Sequence, residues 1–132
     1  MHTITCFVPS TTRDRTISQS QFENRIRETL IVMADQFGGA FSQESMGSYL
    51  DQAGRLIIEK VALCQSYVIG LDSAAIEKRY AHMLEYARKK VIDWQQESIL
   101  IAADDREPAL VFANQIDRPI ADKRLELALI PA

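Results

Sequence analysis

Apolar residues recur along the chain in two rhythms, and the points where the rhythm changes divide it into elements. From Thr3 to Val8, Ile4, Cys6 and Val8 alternate with Thr5 and Phe7 until Pro9 ends the run, the pattern of a short strand. Phe7 makes the second face apolar too, so this strand is expected at the centre of a sheet. Ser10 to Thr16 is polar, as in a loop. A helix then opens at Ser18, whose spacing to Gln21 is that of a capping box. Its apolar stripe is Phe22, Ile26, Leu30, Met33, Ala34 and Phe37, at steps of three and four. Gly38-Gly39 closes it, because glycine reaches the left-handed conformation of a last turn at little cost.

The second half repeats the alternation of strand and helix. Ala40 to Leu50 is irregular but carries Phe41, Met46 and Tyr49, and Asp51-Gln52-Ala53-Gly54 has the content of a hairpin turn. Arg55 to Val68 is a long β-rich run, apolar enough for another central strand. Asp72 or Ser73 caps a second helix with the stripe Ile76, Tyr80, Met83, Leu84, Ala87, Val91 and Trp94. Ser98 to Ala102 reads as a strand, broken by Asp104-Asp105-Arg106-Glu107-Pro108. The order β-α-β-β-α-β predicts an α+β, ferredoxin-like domain over residues 1–108. Its four-stranded antiparallel sheet would carry two helices on one face, with the first and third strands adjacent at the centre. Residues 109–132 form a C-terminal extension that packs on the same domain or on a second copy. Within it Ala109 to Phe112 is strand-like, Asp117-Arg118-Pro119 is a turn, and Leu125, Leu127 and Leu129 alternate with Glu126 and Ala128.

Composition narrows the classes. At 132 residues, 47% hydrophobic and 25% charged, the chain suits one soluble domain. Its net charge of −3 advertises no polyanion-binding surface. Nucleic acid is therefore not expected. The one route left open is Lys78, Arg79, Arg88, Lys89 and Lys90, of which the last three lie where a helix dipole favours cations in any case. No apolar run reaches the roughly 18 to 20 residues of a membrane span, and the first residues lack the parts of a secretory signal. Cys6 and Cys64 are too few for a disulfide framework, so a reducing, cytoplasmic setting is expected, with both as core residues.

Candidate chemistry is sparse. Asp104, Asp105 and Glu107 lack the spacing of a calcium loop and are interrupted by Arg106, so no metal is expected. Gly38-Gly39 stands at the C-terminal end of a helix, where the dipole repels anions. No nucleophile–base pair and no nucleotide fingerprint is visible, and no cofactor is expected. A cleft beside the sheet would draw its polar groups from Glu59, His82, Glu97 and Tyr49.

Several strings together resemble a group of small bacterial and phage proteins. They are Ile4-Thr5-Cys6-Phe7-Val8-Pro9, the helix end Phe37-Gly38-Gly39-Ala40-Phe41, Gly47, Gly54, Glu59, and Gln96-Glu97-Ser98-Ile99. The resemblance spans about residues 3 to 102, and departs where Gly47-Ser48-Tyr49 stands in place of a glycine followed by Trp. It implies the same fold and brings no assured activity. The first functional expectation is a non-enzymatic interaction protein that binds a macromolecular partner or itself. A homodimer would use Leu110, Phe112, Leu125, Leu127 and Leu129. The alternative is a small enzyme or small-ligand-binding protein using the cleft, and a pocket holding several of the four polar candidates would favour it.

Overall fold

The computed structural model describes residues 1–51, 53–114 and 118–119. Six strands and two helices follow one another as β1 (Thr3–Pro9), α1 (Gln19–Phe37), β2 (Phe41–Leu50), β3 (Leu56–Tyr67), α2 (Ser73–Asp93), β4 (Ser98–Ala103), β5 (Ala109–Phe112) and β6 (Arg118–Pro119). They form an α+β fold with one antiparallel sheet in the order β2-β3-β1-β4-β5-β6. The sheet thus has six strands among the described residues, not the four expected. The two extra strands come from the C-terminal extension, and Arg118-Pro119, expected in a turn, pairs with Ala109 and Leu110 instead. Leu125, Leu127 and Leu129 lie outside the described residues.

The local rules behind these elements are visible at their ends. Ser18 caps α1 in a complete capping box with Gln21, and Gly38 closes it at a φ of 89° while its N–H bonds the Ala34 carbonyl. Asp72 caps α2 by accepting from the Ala75 N–H. The Asp51–Arg55 turn is closed by backbone bonds and by the Asp51 carboxylate, which accepts from the N–H groups of Ala53 and Arg55.

β1 and β3 are adjacent central strands, with Cys6 opposite Cys64. Strand alternation sends Ile4, Cys6, Val8, Ala62, Cys64, Ile99, Ile101, Ala109 and Val111 to one buried face. Both helices cover that face and touch each other. Tyr86 of α2 shares a 3.0 Å hydrogen bond with Thr29 of α1, and Lys90 pairs with Glu28. Phe22, Ile26, Met33, Phe37, Tyr80, Met83, Ala87 and Val91 are buried as their spacing predicts. Leu30 and Ile76, expected with them, are only half-buried, at the margin of their helix faces. The opposite face of the sheet carries Phe7, Leu63, Leu100, Leu110 and Phe112, all half-buried. No helix among the described residues is long and apolar enough to cross a membrane.

One mismatch of lengths creates the cleft discussed next. β1 ends at Pro9, opposite Val61, whereas β3 begins at Leu56. Residues 56–60 of β3 pair with β2 alone among the described residues, so the hairpin projects past the body of the sheet. The loop 10–17 turns beside this projection before α1 begins.

Candidate functional site

The cleft lies between loop 10–17 and the projecting part of β3, with a volume of about 530 Å³. Its polar groups come from Ser10, Thr11, Arg13, Arg15, Tyr49, Glu59 and Lys60. Its apolar wall comes from Phe22, Met46, Ile57 and Ile58. Register decides which groups meet. Glu59 lies opposite Gly47, and Ile57 opposite Tyr49. These four positions therefore share the helix-free side of the hairpin. A Cβ placed on Gly47 would approach Val61 Cγ1 at 3.4 Å and the Glu59 carbonyl at 3.9 Å, so the glycine keeps the strand bare beside the carboxylate.

Glu59 is the centre of the arrangement. It is half-buried, and its Oε2 accepts a 2.7 Å hydrogen bond from the Thr11 hydroxyl. Burial raises its pKa above the ordinary carboxylate value, while the Thr11 hydrogen bond and the positive charge of Arg25 act in the opposite direction. Tyr49 is also raised, first by burial and then by the negative charges of Glu59, Glu97 and Asp51. It is therefore held as a neutral phenol with a proton to donate at neutral pH.

The loop that carries Thr11 is tied on three sides. Ser10 Oγ donates to the Lys60 carbonyl at 2.6 Å. Arg25, on the buried side of α1, sends Nη1 to the carbonyls of Pro9 and Thr11, each at 2.8 Å, and Nη2 to that of Trp94 at 3.3 Å. Gln96 donates to the Thr11 carbonyl as well. Arg13 closes the third side through its backbone N–H to the Gln95 carbonyl at 2.9 Å. Lys60 turns away toward Gln19 and Glu44.

Of the four polar candidates, the structure brings Glu59 and Tyr49 into one cleft. Glu97 does not line it, although its charge acts on Tyr49. His82 sits exposed on α2, outside the cleft lining. Thr11 and Arg25 were not singled out from the sequence. The available signal was an arginine at the third position after Phe22 and directly before Ile26, where an apolar stripe should carry no charge.

The basic residues of α2 are mostly engaged. Arg79 donates to the Gln36 carbonyl, Arg88 pairs with Glu85, and Lys90 pairs with Glu28 and Asp93. Among the described residues no group of three or more His, Cys, Asp or Glu side chains is placed to hold a metal ion. The cleft offers a half-buried carboxylate, a phenol donor and an apolar wall. That combination suits a small ligand with an apolar ring, hydroxyl groups and positive charge.

No protein-family model and no curated protein sequence matches the chain. Two solved structures share its fold. One is a phage SAM lyase in complex with S-methyl-5'-thioadenosine, at 17% identity and a TM-score of 0.64, covering 85% of this chain and 89% of that one. The other is a phage SAM lyase in the apo state, at 17% identity and a TM-score of 0.57, covering 88% of this chain and 83% of that one. The expectation of a non-enzymatic interaction protein is corrected here. It rested on missing catalytic signatures, yet the proteins that share the fold over most of both chains are phage SAM lyases, one of them holding a small ligand. They favour the alternative, a small enzyme or small-ligand-binding protein using the cleft.

Proposed function

We propose that this chain is a lyase acting on S-adenosylmethionine and releasing S-methyl-5'-thioadenosine. The observation that carries the reading is the Glu59 carboxylate, half-buried in a cleft with an apolar wall, on the fold of a SAM lyase. The substrate is a sulfonium cation bearing a purine nucleoside. Ile57, on the same side of the hairpin as Glu59, supplies apolar surface for a ring. Glu59 supplies negative charge and an acceptor for sugar hydroxyls, and Tyr49 supplies a donor. Thr11 occupies Oε2 of Glu59, which leaves Oε1 without a hydrogen bond among the described residues.

A lyase parts the C–S bond without adding water. The sulfur keeps the bonding pair and becomes a neutral thioether. The electrons that satisfy the carbon come from the substrate itself: its carboxylate closes a ring, or a base takes a proton from the adjacent carbon and the C–H pair becomes a C=C bond. In the first route Glu59 orients the substrate. In the second its ionised carboxylate takes the proton. Incubating the full chain with S-adenosylmethionine and resolving products by mass spectrometry tests the reading. S-methyl-5'-thioadenosine should appear with either a lactone or an unsaturated amino acid, which separates the routes. A wild-type chain that neither consumes the substrate nor binds S-methyl-5'-thioadenosine sinks it.

At finer detail, we read β2-β3-β1-β4 as a ferredoxin-like sheet to which β5 and β6 are added, in a cytoplasmic protein. Self-association is favoured by a specific feature. Met46, Leu56 and Ile58 on the projecting hairpin are 71%, 61% and 62% exposed, a cluster that a second copy would cover. Analytical ultracentrifugation of the full chain should give a homodimer or larger assembly that Ile58→Glu dissociates. A monomeric wild type at micromolar concentration rejects this.

A further inference from the structure

Arg25 is an unusual occupant of a helix's buried side. It is 7% exposed, and the hydrogen bonds it makes go to backbone carbonyls. A buried guanidinium is costly unless its donors are satisfied, and here Nη1 bonds the carbonyls of Pro9 and Thr11 while Nη2 reaches that of Trp94. The Trp94 ring lies beneath it, 5.2 Å from the guanidinium carbon. Gln96 adds a second donor to the Thr11 carbonyl and one to the Trp94 carbonyl at 3.1 Å. The residue held at both its carbonyl and its neighbours is the one whose hydroxyl reaches Glu59.

We propose that Arg25 is a positioning residue of the site: by fixing the Thr11 backbone it aims the Thr11 hydroxyl, and through it the Glu59 carboxylate, into the cleft. Arg25 does not line that cleft, so it acts on a ligand only through others. It does line a separate groove on the other side of the loop, with Thr12, Arg15, Glu28 and Trp94. Loop 10–17 is thus a wall between two surfaces, and Arg25 is its pin from behind. The other charges near Glu59 do not replace it. Arg13 donates to the Gln96 carbonyl at 3.2 Å, Lys60 bonds Gln19 at 3.2 Å, and Arg15 lines both surfaces from an exposed position. Tyr49 faces Glu59 as a neutral phenol.

The inference rests on Glu59 being the carboxylate of the proposed site, and its test reads Glu59 directly as well as turnover. The side-chain carboxyl of Glu59 is titrated by carbon-13 NMR in the full chain, assigned with Glu59→Gln. Arg25→Lys keeps the charge but loses the planar fork that holds the Pro9 and Thr11 carbonyls on one nitrogen and the Trp94 carbonyl on the other. It should raise the Glu59 midpoint and lower turnover by about tenfold to a hundredfold, the scale expected for a displaced group. Thr11→Val should match it, Thr11→Ser should behave as wild type, and the double variant Arg25→Lys with Thr11→Val should be no worse than either alone. Gln96→Leu removes the second donor to the same carbonyl and should shift the midpoint in the same direction, which keeps the test alive if Arg25→Lys does not fold. A wild-type midpoint in Arg25→Lys, or in Gln96→Leu where the former is unfolded, overturns the inference. So do additive effects in the double variant. Absence of S-adenosylmethionine cleavage by the wild type would defeat the proposed reaction and leave the titration result standing on its own.

Discussion

Cys6 and Cys64 face each other directly across the β1–β3 ladder, and neither has any contact with solvent. Both are free thiols. Burial pushes Cys64 up to about 12, and it raises Cys6 as well, with the charge of Cys64 adding to the effect. Thiolate, the reactive form, is therefore suppressed at both positions. The native protein should resist a thiol reagent at pH 8, and both cysteines should react on unfolding in guanidinium. Modification of either thiol in the native state at a rate matching a free cysteine counts against this packing.

Core energetics separate two residues of α1 that the sequence treats alike. Met33 has no exposed surface, whereas Leu30 is only half-buried. Met33→Ala should cost about 2 to 5 kcal/mol, and Leu30→Ala distinctly less. Urea denaturation of the two variants decides it, and equal losses would contradict the assigned face of the helix.

Glu59 ties activity to stability with opposite signs. Its folded pKa is raised, so the folded chain binds this proton more tightly than the unfolded chain. Its contribution to stability is fully present below the unfolded pKa and is lost as pH rises through the folded value. At pH 7 the ionised, half-buried carboxylate is a net burden on the fold. Glu59→Gln should accordingly raise Tm at pH 7 relative to pH 4, compared with wild type, while abolishing turnover of S-adenosylmethionine. A variant with full turnover removes Glu59 from the site.

Gly47 tests the geometry of the cleft without touching its chemistry. It faces Glu59 across the β2–β3 pair, and the space beside it is open enough to take a Cβ in ordinary contact. Gly47→Leu should leave the circular dichroism spectrum intact and weaken binding of S-methyl-5'-thioadenosine by tenfold or more, about 1.4 kcal/mol. Unchanged binding would place the ligand elsewhere.

Residues 109–112 and 118–119 of the C-terminal extension are part of the sheet. Ala109 and Val111 of β5 are almost fully buried on the face that α2 covers. Truncation after Pro108 should strip that side of β4 and lower Tm by well over 5 °C, as expected for losing several buried side chains. A truncated chain as stable as the full one refutes the pairing of β4 with β5.

Where hydrophobic spacing dictates structure, the fold was legible. Both caps of α1, the cap of α2 and the central pairing of β1 with β3 follow from residue types at fixed offsets. The extra strands were not, because Ala109 to Phe112 looks the same whether it extends its own sheet or a neighbour's. The site was half legible. Glu59 interrupts the apolar run of β3, and register brings Tyr49 to the same side of the hairpin. His82 looked equally good, since a helix surface and a cleft wall share one spacing. Thr11 and Arg25 were hidden because their partners are 48 and 14 to 69 positions away, a separation that no local pattern encodes.

The overrun of β3 past β1 has a bearing on how this protein can change. Glu59 stands on the cantilevered stretch, where opening the hairpin tip need not unfold the body of the sheet. Amide exchange in residues 56–60 should then report a local event of lower free energy than exchange in residues 61–67. Substitutions in loop 10–17 and in the hairpin tip should reshape the cleft while the helices and central strands go on setting the melting temperature. The molecule is thereby divided into a body whose packing sets its persistence and a projecting part whose residues can change without disturbing it, joined where β3 runs past the end of β1.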